Sequence, residues 1–126
     1  VFHIRRKDKL HGINKRVYGI VSQEEIIRII DLHYDKKKYK YVFLVGDDNS
    51  FIKKIKKLCN KKFNILDSTY LHEKKSIWID FYILANCKGL ILSNSSFCLW
   101  AGYLSNSKYI YYPEPIFPKI PILIIV

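Results

Sequence analysis

The chain has 126 residues, 49% of them hydrophobic, which is enough for one domain with one modest core and excludes wholesale disorder. Its 22 Lys and Arg outweigh 11 Asp and Glu, for a net charge of +11 that favours anionic partners. No apolar run reaches the length of a membrane-spanning helix, and "IPILIIV" at the C-terminus is short and introduced by prolines. Neither end reads as a signal peptide. Val1 opens inside a strand pattern and the sequence has no Met, so it reads as a fragment lacking an N-terminal region.

In chain order, "VFHI" (Val1–Ile4) is a short strand and residues 5–21 form a polar loop. "SQEEIIRIIDLHY" (Ser22–Tyr34) is a helix. Ser22 and Glu25 form a capping box, and Ile26, Ile27, Ile30 and Tyr34 recur at helical spacing. "YVFLV" (Tyr41–Val45) is a continuous apolar run that reads as a strand covered on both faces. "GDDNS" turns the chain, and Ser50 can cap a second helix to about Cys59, with a stripe of Phe51, Ile52, Ile55, Leu58 and Cys59. "FNIL" (Phe63–Leu66) is a third strand, followed by a polar loop over 67–75. "SIWIDFYILANC" (Ser76–Cys87) is a helix apolar nearly all round, hence expected to be buried. Gly89 ends it, "LIL" (Leu90–Leu92) is a fourth strand, "FCLWAGYLS" a helix and "YIYY" (Tyr109–Tyr112) a fifth strand.

This alternation predicts an α/β fold: a Rossmann-like parallel sheet with helices on both faces and right-handed crossovers. In such sheets the ligand crevice lies beyond the carboxyl ends of the strands. Those ends carry "HIRRKD", "GDDNS", "DSTY" and "SNSS".

Two of them suggest an anion. In an extended "HIRRKD", His3 and Arg5 face one way, Ile4 and Arg6 the other. One arginine can reach a crevice while its neighbour pairs with Asp8 or packs elsewhere. A guanidinium fork suits a pyrophosphate, although a pair of surface arginines is equally compatible with so basic a chain. In "SNSS", Asn94, Ser95 and Ser96 precede a helix, where converging N–H groups and hydroxyls can hold a phosphate. Plain N-capping is the alternative. Asp80 sits within an apolar helix, so it either serves a base or sugar or pairs with Arg5 or Arg6.

Other features are weaker. "GDD" (Gly46–Asp48) could bind a divalent metal, but Asp and Gly more often simply make the turn. His11, His33 and His72 are isolated from one another and read as surface or loop residues. Cys59, Cys87 and Cys98 lack zinc spacing, and Cys59 and Cys87 read as small core residues in a reducing compartment. Asn94 matches an N-glycosylation pattern, accidental if it lies in a ligand crevice. "KKKYKY" could be a nucleic-acid stripe, but it runs into a core strand and reads as solvated lysine.

"HIRRKD" resembles the H-x-R-R-x-D signature of fucosyltransferases that use GDP-fucose. "WIDFYILANCKGLILSNSSFCLWAGYLS" is similar to the later motif of the α-1,2-fucosyltransferases, glycosyltransferase family 11, and "VFLVGDD" fits the strand between. The resemblance runs from Val1 to about Pro113. It implies that residues 1–126 are the donor-binding, C-terminal half of a GT-B-type enzyme whose N-terminal, acceptor-side domain is absent. It further implies inverting transfer of fucose from GDP-fucose to a galactose O2, with no metal or other cofactor. By position, Arg5 would hold the pyrophosphate and be catalytic. His3 and Asp80 would lie at guanine or ribose, Asn94, Ser95 and Ser96 at the phosphates, Arg6 beside the donor, and Asp8 would brace the arginine loop. The partners implied are GDP-fucose and a galactose-terminated glycan, with no nucleic acid. The implied location is bacterial-like, cytoplasmic or peripheral at the membrane, or Golgi in a eukaryote. The sequence departs from the family at Lys7, Lys9, Cys98 and Leu99, which bears on linkage and acceptor, and no residue is assigned as general base. The alternatives are an inactive homologue that binds nucleotide only and a basic nucleic-acid-binding module.

Overall fold

Among the described residues strands and helices alternate along the chain, and the first four strands are each followed by a helix that returns the chain to the same end of the sheet. The computed structural model describes residues 1–7, 22–68, 76–93 and 95–111. The elements are β1 (Phe2–Ile4), α1 (Gln23–His33), β2 (Val42–Gly46), α2 (Asn49–Cys59), β3 (Ile65–Asp67), α3 (Ile77–Ala85), β4 (Gly89–Ile91), α4 (Ser96–Leu104) and β5 (Tyr109–Tyr111). All strand pairs are parallel, in the order β3-β2-β1-β4-β5. The expected α/β class and Rossmann-like arrangement are what the chain adopts.

Strand alternation divides the core into two layers. Phe2, Ile4, Val42, Leu44 and Ile65 pack with Ile26, Ile30, Phe51, Ile52 and Ile55 of α1 and α2. Val45, Leu90 and Leu92 pack with Ile83, Leu84, Cys98 and Ala101 of α3 and α4, with Phe43 alongside. The β2 strand thus feeds both layers, as its continuous apolar run requires. Next to it, β1 pairs in the register His3↔Val45 and Ile4↔Gly46. A Cβ on Gly46 would collide with the Ile4 carbonyl oxygen, so only glycine allows the two strand ends to approach this closely.

Several local expectations are corrected. Helix α2 is capped not by Ser50 but by Asp48, whose carboxylate accepts from the Phe51 N–H at 3.1 Å; the helix begins one residue before Ser50. Ser22 does cap α1 by accepting from the Glu25 N–H, but the Glu25 carboxylate turns to Arg28 at 2.6 Å instead of completing a box. Gly89 opens β4, and Asn86 is the residue that ends α3. Leu58 is exposed, on the solvent side of its helix.

The larger correction concerns α3. It is apolar all round, yet only its inner side is covered. Ile77, Trp78 and Tyr82 face outward, Trp78 at 79% exposure. Helix α4 packs beside it and presents Trp100, Tyr103 and Leu104 on its own outer side. Among the described residues one layer of helices covers the sheet here and none packs on the outer side of α3, so composition overstated burial. His33 also departs from expectation: it closes α1 half-buried, its ring 4.0 Å from that of Tyr111. His11 and His72 lie outside the described residues. No helix among the described residues is long and apolar enough to cross a membrane.

Candidate functional site

The strand order reverses direction between β1 and β4, two neighbours whose following helices lie on opposite faces of the sheet. At such a switch point the helices diverge and leave a crevice beyond the carboxyl ends. Arg5 follows β1, and Ser93 and Ser95 follow β4, so both anion-suggesting stretches converge on this one place.

Alternation separates the two arginines. Arg6 stays on the Ile4 side, with its guanidinium carbon 3.9 Å from the Phe51 ring centroid and its Nε 3.5 Å from Asp48. That arginine is packed into the α2 layer. Arg5 keeps 35% of its side chain exposed and lies with Nε 3.5 Å from Asp47. Asp47 also accepts from the backbone N–H groups of Arg6 at 2.8 Å and Lys7 at 3.1 Å. Asp8, expected to brace this loop, lies outside the described residues; the brace visible here comes from the end of β2. The "GDD" turn is therefore a partner of the arginines. Among the described residues no group of three or more His, Cys, Asp or Glu side chains could hold a metal ion.

His3, on the opposite side of β1 from Ile4, is buried beneath the crevice. Its Nδ1 hydrogen-bonds the Ser93 hydroxyl, which is buried too, and its ring centroid is 6.0 Å from that of Phe97. Ser93 is a site neighbour that sequence reasoning missed. Its signal was its place as the first polar residue after a buried strand. Its backbone N–H donates to Cys98 Sγ at 3.2 Å, and burial pushes the Cys98 thiol up to about 12.

Ser95 is the N-cap residue of α4, but its side chain makes no capping hydrogen bond. Plain capping, the expected alternative, is not how this hydroxyl is used. Ser96 is the first residue of the helix, and Asn94 lies outside the described residues. Asp80 is 5% exposed on the inner side of α3. His3, Arg5, Ser93 and Ser95 thus meet at the β1–β4 boundary, Asp80 is buried in the α3–α4 layer, and Arg6 is committed to the α2 layer. A cavity of about 290 Å³ opens at the opposite, amino ends of the strands, lined by Tyr34, Tyr39 and Tyr111 among others. It is mostly apolar and far from the paired arginines, so geometry and charge select the switch point instead.

Fold and site together define a doubly wound α/β domain with an arginine and a helix start at its switch point. Residues 1–121 match Glycosyl transferase family 11, and the chain belongs to that family. It is also similar to an alpha-1,2-colitosyltransferase of Escherichia coli, 29% identical over 107 residues that cover 82% of this chain. The match spans 35% of that relative's length.

Proposed function

We propose that this chain binds the donor of an inverting, GDP-fucose-dependent α-1,2-fucosyltransferase, with galactose O2 of a glycan as acceptor. The observation that carries this reading is the position of Arg5 and Ser95 just beyond the carboxyl ends of adjacent strands, astride the sheet's reversal. Transfer leaves negative charge on the departing GDP. Arg5, the N–H groups at the start of α4 and the hydroxyls of Ser95 and Ser96 would stabilise that charge as it develops. Preorganised donors of this kind act without rearranging at the moment of reaction. His3 and Asp80 would meet the guanine or ribose side of the nucleotide, with Asn94 near the phosphates. Arg6 would hold the arginine loop against α2 and contribute to the donor site only through its charge.

Titration calorimetry of the full polypeptide with GDP and GDP-fucose tests the reading. Saturable heat, lost in Arg5→Ala together with transfer, is the expected result. No heat at millimolar nucleotide in a folded protein would refute it. Transfer activity also separates an enzyme from a homologue that binds nucleotide only. A nucleic-acid module would instead show affinity falling steeply with salt.

A second reading keeps the α-1,2 linkage and changes the transferred sugar to colitose, as the name of the Escherichia coli relative suggests. Competition between the GDP-linked forms of the two sugars in one transfer assay distinguishes them.

A further inference from the structure

Two adjacent carboxylates, Asp47 and Asp48, follow β2, and the structure gives them different partners. Asp48 caps α2 and faces Arg6, whose guanidinium lies over Phe51. All of these partners belong to the α2 layer. Asp47 faces the other way along the strand ends, accepts from the N–H groups of Arg6 and Lys7 and forms an ion pair with the Nε of Arg5 at 3.5 Å.

We propose that Asp47 is the positioning residue for Arg5, holding the exit of β1 in the one conformation that aims this guanidinium at the donor diphosphate; this rests on the donor-binding reading given above. Holding the two amides that follow Arg5 fixes the backbone from which its side chain departs, and the contact at Nε fixes the plane of the guanidinium. Hydrogen bonds to an ionised acceptor are about twice as strong as neutral ones. The closeness of the strands makes the arrangement possible. Gly46, immediately before Asp47, sits against the Ile4 carbonyl with no room for a Cβ. Any side chain there would push the β2 end, and Asp47 with it, away from the arginine loop. The Arg5–Asp47 pair is partly exposed, so by itself it adds little to stability. Its effect falls on geometry.

GDP titration calorimetry, with a thermal melt of each variant, separates the two carboxylates. Asp47→Ala should weaken GDP binding about ten-fold while melting close to wild type. Asp47→Asn should recover part of the loss, because an acceptor for the Arg6 N–H is kept. Asp48→Ala should lower the melting temperature and leave GDP affinity within about two-fold of wild type. If Asp47→Ala binds GDP as wild type does while Arg5→Ala does not, the positioning role is overturned and the donor-binding reading stands. If Arg5→Ala also binds normally, the donor-binding reading itself fails. Should Asp47→Ala not fold, Asp47→Asn carries the measurement, and wild-type affinity in it overturns the proposal. Equal losses of affinity and melting temperature in the Asp47 and Asp48 variants would also overturn it, since both would then act through the fold.

Discussion

The imidazole of His3 and the hydroxyl of Ser93, 90 residues apart in sequence, are hydrogen-bonded across the boundary between β1 and β4. Both are buried, so the bond ties the two strands together beneath the crevice, where the helices part. Ser93→Ala removes a polar partner without adding volume. The expected loss is about 1–3 kcal/mol of unfolding free energy. Urea denaturation followed by far-UV circular dichroism measures it, and an unchanged midpoint would show that the bond adds nothing.

Gly46→Ala should cost more than propensity scales suggest. The added methyl meets the backbone oxygen of Ile4, which no rotamer change can move aside. Separating two paired strands is required instead, at about 2–3 kcal/mol or more. The check is a urea midpoint. If the proposal for Asp47 holds, GDP affinity falls in the same variant at temperatures where it stays folded.

The thiols supply a pH prediction. Burial pushes the Cys98 thiol up to about 12 from an ordinary 9.0, and burial raises Cys59 as well. The folded state therefore keeps protons that the unfolded chain releases above pH 9. The stabilising contribution of Cys98 is complete below about pH 9 and is lost as pH rises toward about 12. Stability should decline across that alkaline window, and less steeply in Cys98→Ala. In native protein at about pH 8, Ellman's reagent should modify half-buried Cys87 before either buried thiol.

At the acidic side, His33 acts in the opposite sense. Burial against Tyr111, and then the charge of Arg28, lower its pKa from 6.5. The unfolded chain takes up this proton first, so the contribution is present above about pH 6.5 and is lost below it. The urea midpoint should drop between about pH 8 and about pH 5, and the drop should shrink in His33→Gln.

Strand and helix positions were legible from apolar periodicity, while cap and turn residues misplaced the start of α2, the end of α3 and the start of β4 by a few residues. The continuous run before Gly46 told of a two-sided strand, and alternation in "HIRR" separated Arg5 from Arg6. What stayed hidden depended on neighbours distant in sequence. Asp47 is 41 positions from the Arg6 amide that it binds, and a turn-forming Asp looks the same whether or not it receives such a donor. The exposure of α3 was hidden for a related reason. An all-round apolar helix states that it avoids water, but the number of layers above it is a property of the assembled fold.

That exposed layer has a practical consequence. The chain has 2 tryptophans, and Trp78 and Trp100 both stand on the outer side of the α3–α4 layer, at 79% and 62% exposure. Its native emission should already resemble that of indole in water, and denaturant should shift the peak little while circular dichroism collapses. Fluorimetry on this chain therefore reports what touches its surface, and the melting of its interior must be followed by another signal.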